Sequence, residues 1–101
     1  MSAKKARKTK RVTICGKRWT LKLIPKTERR GHYGKCEHPE EINKTIEAEA
    51  NHGDERVLNT LLHECLHAGV WALDEAVVTQ WADDVSKILI DLGWKREQPQ
   101  P

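Results

Sequence analysis

The spacing of the apolar residues changes halfway along this chain of 101 residues, which is about the size of one compact domain. Trp19, Leu21 and Leu23 alternate with polar residues, which is the period of a strand with one buried face. From Glu55 onward the apolar residues recur at helical spacing. Strands followed by helices predict an α+β domain, in which a small N-terminal β-sheet packs on two C-terminal α-helices.

The strand signals predict a β-hairpin and one or two further short strands. The two strands of the hairpin are predicted in residues 12–15 and 19–24, which are rich in β-branched and aromatic residues. The turn between them is predicted at Gly16-Lys17. Pro25 ends the hairpin, and a polar loop with two glycines follows over residues 26–34. The short strands are predicted in residues 35–37 and 42–48.

Two amphipathic helices are predicted in the second half of the chain. The first is capped by Asp54 and ends near Gly69, and the second is capped by Asp74 and ends at Gly93. Each helix carries one apolar stripe that is expected to face the core. The stripes are Leu58, Leu61, Leu62, Cys65 and Leu66 in the first helix, and Val78, Trp81, Val85, Ile88 or Leu89, and Leu92 in the second.

The charged residues are distributed unevenly. Residues 1–11 contain six of the 18 Lys and Arg residues and none of the 15 Asp and Glu residues. We therefore predict a disordered basic arm over residues 1–11, one domain over residues 12–94 and a polar tail over residues 95–101. A cationic run such as residues 4–11 is suited to weak, non-specific contact with the phosphates of nucleic acid.

The cysteines and the hydropathy of the chain predict its compartment. Cys15, Cys36 and Cys65 are widely spaced and odd in number, which is unlike a disulfide framework or a CxxC metal knuckle. The sequence has no apolar run of membrane-spanning length, and no apolar segment follows the basic start as in a secretory signal. These features predict a cytoplasmic protein with reduced thiols and without a membrane partner.

Residues 63–67, His-Glu-Cys-Leu-His, form an HExxH motif inside the first predicted helix. Residues four apart lie one above the other on a helix, so His63 and His67 can bind the same zinc ion. Glu64 lies about 100° around the helix axis from His63, where it can accept a proton from a water that the metal carries. The histidines face away from the apolar stripe, which predicts a cleft open to substrate.

A hydrolytic zinc site usually has a third protein ligand. Asp74 and Glu75 follow His67 closely, and the helical period does not choose between them. Asp74 is the better N-cap, which would occupy its carboxylate with backbone amides and leaves Glu75 as the preferred ligand. His32, His38 and His52 are more distant candidates for the third ligand. Any of them, or Tyr33, could instead stabilise the oxyanion that forms during hydrolysis.

Residues 61–68 and 73–78 resemble the metal-binding helices of the gluzincin branch of zincin metallopeptidases, whose mark is HExxH followed by a glutamate ligand on a second helix. The resemblance is greatest to minigluzincins and to similar short peptidase-like proteins of phages and microbes. It implies that His63, His67 and Glu75 bind one zinc ion per chain, with Glu64 as the general base.

The resemblance also implies that an edge strand within residues 34–49 pairs with an extended peptide substrate. Only seven residues separate His67 from Glu75, far fewer than in large gluzincins. A shared metal ion therefore requires that the two helices meet at a tight corner.

Two functions are consistent with these features. The first is a zinc-dependent metalloendopeptidase that acts on a peptide or protein substrate. The alternative is a non-catalytic, zinc-stabilised binding module that contacts nucleic acid through the basic arm, since a metal ion can supply folding free energy to a small domain. SprT-like proteases, which act on DNA–protein crosslinks, are a poorer match because they have a third histidine after the motif and no histidine follows His67.

Overall fold

A four-stranded sheet and two helices form the part of the chain that the computed structural model describes, residues 8–25 and 33–96. The elements are the strands Lys8–Ile14 (β1), Lys17–Ile24 (β2), Gly34–Cys36 (β3) and Thr45–Glu49 (β4), and the helices Asp54–Gly69 (α1) and Glu75–Asp91 (α2). The predicted α+β arrangement, with the sheet before the helices, is confirmed. Neither of these helices is both long and apolar enough to cross a membrane.

The strands are arranged in the order β1-β2-β4-β3. β2 pairs antiparallel with β1 and parallel with β4, and β4 pairs antiparallel with β3. One face of the sheet meets α1, where Trp19 of β2, Ile46 of β4 and Ala68 of α1 form the buried core. β3 is thus an edge strand, and it lies beside α1.

The hairpin of β1 and β2 is longer than predicted. Lys8 pairs with Leu23, so residues 8–11 form the first half of β1 and not part of a disordered arm. Their side chains are exposed, and therefore no hydrophobic pattern marks them as a strand. Residues 1–7 lie outside the described part. The turn is Cys15-Gly16, one residue earlier than predicted, with φ of 48° and 82° as a two-residue type I′ turn requires.

Helix α1 begins one residue earlier than predicted, because Gly53 and not Asp54 is its N-cap. The helix ends at Gly69, where the sequence places its end. Its fully buried side chains are Val57, Leu58, Thr60 and Ala68, and the remaining members of the predicted stripe are half-buried. The helix therefore lays smaller residues on the sheet and keeps most leucines at the border of the core.

Helix α2 confirms Asp74 as its N-cap, since the Asp74 side chain accepts a hydrogen bond from the amide of Ala76. The predicted core stripe of this helix is wrong in part. Val78 is buried, but the other fully buried positions are Ala82 and Ser86, which the apolar pattern did not include. The larger members of the predicted stripe are exposed, namely Trp81, Ile88 and Leu92. Ser86 faces α1, since its hydroxyl oxygen lies 3.4 Å from Asn59 Nδ2 of that helix.

Arg96 belongs to the fold and not to a polar tail. Its guanidinium donates to Asp54 Oδ1 at 2.7 Å and to the carbonyl oxygens of Ala50 and His52, both at 2.8 Å. This side chain ties the end of the described chain to the start of α1, so the domain extends beyond the predicted boundary at residue 94. Residues 97–101 of the predicted tail lie outside the described part.

The observed burial of α2 predicts unequal effects for two similar truncations. Val78→Ala should lower the free energy of unfolding by about 2 kcal/mol, because it removes buried methyl groups and leaves a cavity. Ile88→Ala should cost less than about 1 kcal/mol, because the Ile88 side chain is 55% exposed. Urea unfolding of both variants measures the difference. If both variants lose the same free energy of unfolding, Ile88 is as buried as Val78, as the stripe predicted from sequence requires.

Candidate metal centre

His63 and His67 project from the C-terminal half of α1, one helical turn apart. Their side chains are 19% and 17% exposed. Both Nε2 atoms lie against Glu75, the first residue of α2. Their orientation toward α2 adds to the prediction that they face away from the apolar stripe. Both rings line a cavity between α1 and the edge of the sheet.

A short turn brings the second helix back to these histidines. After Gly69 the amide of Val70 donates to the carbonyl of Leu66, and the amide of Leu73 donates to the carbonyl of Val70. Asp74 then caps α2, so Glu75 is the first residue of the new helix. This is the tight corner that the seven-residue separation requires.

Glu75 closes a triad with the two histidines. Its Oε2 lies 3.1 Å from His63 Nε2, and its Oε1 lies 2.8 Å from His67 Nε2. The two Nε2 atoms are 3.2 Å apart. Four-coordinate zinc with ligands at 2.0–2.1 Å places neighbouring ligand atoms about 3.3 Å apart. The separation of the two Nε2 atoms is close to this value, and the two contacts to Glu75, which involve different oxygens, are shorter.

Protons alone satisfy these contacts poorly. If both Nε2 atoms carry a proton, each donates to Glu75, but no hydrogen bond then joins the two nitrogens. If one nitrogen lacks its proton, its lone pair faces a carboxylate oxygen. A cation placed between the three groups attracts all of them at once. The group His63, His67 and Glu75 could therefore hold a metal ion.

The remaining ligand candidates lie elsewhere. The Asp74 carboxylate is engaged in capping α2, as the sequence suggests. His38 Nδ1 accepts from the amide of Glu40, and its ring contacts Trp71. His52 Nε2 lies 2.8 Å from Glu49 Oε1. His32 is outside the described residues.

Glu64 is half-buried beside the triad, between α1 and the sheet edge. Burial, and secondarily the negative charge of Glu75, raise its pKa to about 7. Both effects disfavour the charged carboxylate. A cation bound by the triad would oppose the effect of Glu75 and lower this pKa again.

Strand β3 passes unusually close to α1 at Gly34. A Cβ atom at this position would lie 2.5 Å from Thr60 Cγ2, 2.8 Å from the carbonyl oxygen of Glu47 and 3.0 Å from Glu64 Cγ. Only glycine fits here without displacement of its neighbours. The absent side chain lets the edge strand approach the helix that carries the HExxH motif.

The open edge of β3 faces the triad. The carbonyl of Tyr33 accepts from Glu49, and the amide of Glu37 donates to Thr45, so alternate residues of this strand direct their backbone groups to β4. Gly34 and Cys36 therefore direct theirs away from β4. We call the cavity of about 540 Å³ between this edge and the triad the metal cleft; its lining is Gly34, Lys35, Cys36, His63, Glu64, His67, Trp71 and Glu75.

Sequence reasoning missed three residues around this cleft. Trp71 stands at one end, four residues beyond His67. At the other end, Arg56 and Asn59 line a continuation of the cleft together with Tyr33, one of the oxyanion candidates. Arg56 precedes His63 by seven residues and Asn59 precedes it by four, which is one helix face. That spacing is the signal that could have identified both residues.

The thiols near the cleft are held in their protonated form. Burial raises the pKa of Cys36 to about 12, and the carboxylate of Glu64 adds to the effect. Burial and Glu64 also raise the pKa of Cys65. All three cysteines are free, and these two are poor thiolate ligands or nucleophiles.

Comparison of the chain with protein-family models, with curated proteins and with solved structures finds no match in any of the three. The metal-binding capacity therefore rests on the geometry of the triad itself.

Removal of a triad member should abolish stoichiometric metal binding. We expect about one zinc ion per chain in protein purified with zinc. His67→Ala or Glu75→Ala should weaken zinc affinity more than 100-fold, since loss of an outer-shell partner alone costs roughly 10–100-fold. Asp74→Asn, which keeps an N-cap acceptor, is the matched control and should retain the zinc. Elemental analysis measures the zinc content of each variant, and chelator competition measures its zinc affinity. If Asp74→Asn loses zinc and Glu75→Ala retains it, then Asp74 and not Glu75 is the third ligand.

The contact at Gly34 predicts a position-specific loss of stability. Gly34→Ser should destabilise the fold by about 1–3 kcal/mol, because the added atoms overlap Thr60 and the backbone of β4. Gly53→Ser is the control, since Gly53 has open space around it and serine is a favourable N-cap. Urea unfolding should show a loss only for the first variant. Equal stability of both would contradict the close approach of β3 and α1.

Proposed function

We propose that this protein is a zinc-dependent metallopeptidase that hydrolyses peptide bonds in the metal cleft. The observation that carries the proposal is the convergence of His63, His67 and Glu75 within 2.8–3.2 Å contacts, beside a carboxylate that is not part of the triad. Glu64 is that carboxylate. A structural metal site needs no such additional acid next to it.

The ligand set favours zinc over other metals. Two imidazoles with one carboxylate are typical of hydrolytic zinc sites, whereas magnesium and calcium prefer oxygen ligands throughout. Glu75 is 67% exposed at the mouth of the cleft. Three protein ligands on one side leave a fourth position for water or substrate.

The sheet edge suits a peptide as substrate. Extended peptides add to exposed strands through main-chain hydrogen bonds, and Gly34 and Cys36 direct their backbone groups into the cleft. Gly34 brings this edge close to Glu64. A peptide paired with β3 would therefore carry its backbone carbonyls past the triad.

Within such a complex, Glu64 acts as the general base. Zinc, when bound, lowers the pKa of water and polarises the carbonyl under attack. Glu64 accepts a proton from the water whose oxygen attacks the carbonyl carbon. It then returns a proton to the amide nitrogen as the C–N bond breaks, so that the products are a carboxylic acid and an amine. Tyr33 is a candidate to stabilise the oxyanion, which is supported by its position in the lining of a cavity that it shares with His63 and Glu64.

Glu64→Gln is the direct test of this role. The variant should bind zinc as tightly as the parent, because Glu64 is outside the triad, yet its kcat should fall at least about 100-fold because glutamine cannot accept the proton. Cleavage of an unstructured protein such as casein, assayed with zinc and with chelator, gives the rates. Zinc content measured on the same samples separates catalysis from metal binding.

Other outcomes would contradict the proposal. If zinc-loaded Glu64→Gln cleaves as fast as the parent, Glu64 is not the base. If the zinc-loaded parent cleaves nothing while chelation lowers its melting temperature, the protein is the non-catalytic, zinc-stabilised module. Deletion of residues 1–7 then tests whether such a module contacts nucleic acid through its N-terminal cations.

A further inference from the structure

The metal cleft has two chemically different ends. Beyond Trp71 it adjoins a cavity of about 370 Å³ with a mainly apolar wall formed by Ile14, Ala68 and Ala72. At the other end the cleft continues past His63 and Glu64 into a cavity of about 250 Å³ lined by Tyr33, Arg56 and Asn59. A ligand that crosses the triad therefore meets a mainly apolar surface on one side. On the other side it meets one cation, Arg56, in a cavity that Asp83 also lines.

The direction of β3 sets the direction of a bound peptide. Tyr33 precedes the strand and lies at the cationic end, whereas Cys36 closes the strand toward Trp71. Antiparallel pairing is the more stable arrangement for an added strand. A peptide in this arrangement enters with its N-terminal part near Trp71, and the residues after the cleaved bond extend toward Arg56.

Arg56 is available to bind an anion. Its guanidinium lies 4.5 Å from the ring centre of Tyr33 and is held there by a cation–π contact. It forms no ion pair with any residue of the described part. Of the acids near it, Asp83 accepts a hydrogen bond from Asn59 at 2.7 Å, and Glu55 shares an adjacent cavity with Lys87.

Helical geometry gives the position of that anion along the peptide. Arg56 precedes His63 by seven positions in α1, which corresponds to about 10 Å along the helix axis. An extended peptide advances about 3.3 Å per residue. Arg56 therefore leaves α1 about three extended peptide residues from His63, which is level with the second or third residue after the hydrolysed bond.

From this arrangement we infer that Arg56 recognises a carboxylate on the second or third residue after the cleaved bond, and that an apolar residue before the bond lies against Trp71. The inference rests on the proposed peptidase function, whose cleft it uses. The carboxylate is either an acidic side chain or the C-terminus of the peptide. Arg56 is then a specificity-determining residue and takes no part in the proton transfers.

Peptide hydroxamates test this inference without hydrolysis, because the hydroxamate binds zinc and fixes the register. Zinc-loaded protein is titrated with amidated peptides that carry the hydroxamate at the amino end and either Glu or Gln at the second and third positions. We expect binding about three- to fivefold tighter for Glu, the scale of a partly exposed ion pair. The other source of the carboxylate is tested by comparing the affinities of a short peptide hydroxamate with a free C-terminus and of the same peptide with an amidated C-terminus.

Variants assign the preference to one side chain. Arg56→Gln should reduce the Glu-to-Gln affinity ratio to about one, and Arg56→Glu should reverse it in favour of a lysine peptide. Arg18→Gln is the matched control, because Arg18 is an exposed arginine on β2 outside the cleft. It makes the same change in net charge as Arg56→Gln and should leave the ratio intact.

Three results would overturn the inference. One is equal affinity of the parent protein for Glu and Gln peptides. Another is a ratio that survives in Arg56→Gln. The third is a stronger carboxylate preference in peptides that carry the hydroxamate at the carboxyl end, which would place the substrate parallel to β3. Failure of the peptidase proposal is separate, since it appears as absent cleavage by zinc-loaded protein and leaves the hydroxamate ratio measurable.

Discussion

The site depends on the short turn between the two helices. A carboxylate on α2 can reach two imidazoles on α1 only if the chain reverses within a few residues, and residues 70–74 provide this reversal. Capping by Asp74 fixes where α2 starts, and thereby where Glu75 projects. Because each ligand is carried by a hydrogen-bonded helix, little conformational freedom remains to be lost when the three groups share one cation.

Close packing supports this geometry on both sides of α1. Toward α2, Ala82 and Ser86 are fully buried small residues, which let the helix axes approach and keep Glu75 within reach of His63. Asn59 adds hydrogen bonds to Asp83 and Ser86 across the same interface. Toward the sheet, Gly34 allows the edge strand to lie against the motif. The cleft is therefore bounded by the backbone of β3 on one side and by the triad on the other.

The same packing explains where the apolar pattern is misleading. Helical periodicity identifies an apolar face of α2, but this face is wider than the area that α1 covers. Small residues give the closest approach, so Ala82 and Ser86 occupy the contact, while Trp81 and Ile88 remain exposed. Strand β1 shows the converse, since backbone pairing with β2 needs no apolar side chains and gives residues 8–11 no hydrophobic signal.

By itself the sequence determined the order of elements, the helical phase of His63 and His67, and the capping role of Asp74, because these depend on local backbone geometry. It also favoured Glu75 over Asp74 as the third member of the site, because Asp74 is the better N-cap, but it placed neither carboxylate in space. Only the tertiary structure decided that Glu75 meets both imidazoles, that β3 lies at the cleft, and that Arg56 and Trp71 stand at its ends. Those relations join residues distant in the chain, and their distances are fixed by how helices and sheet pack, which no periodicity encodes.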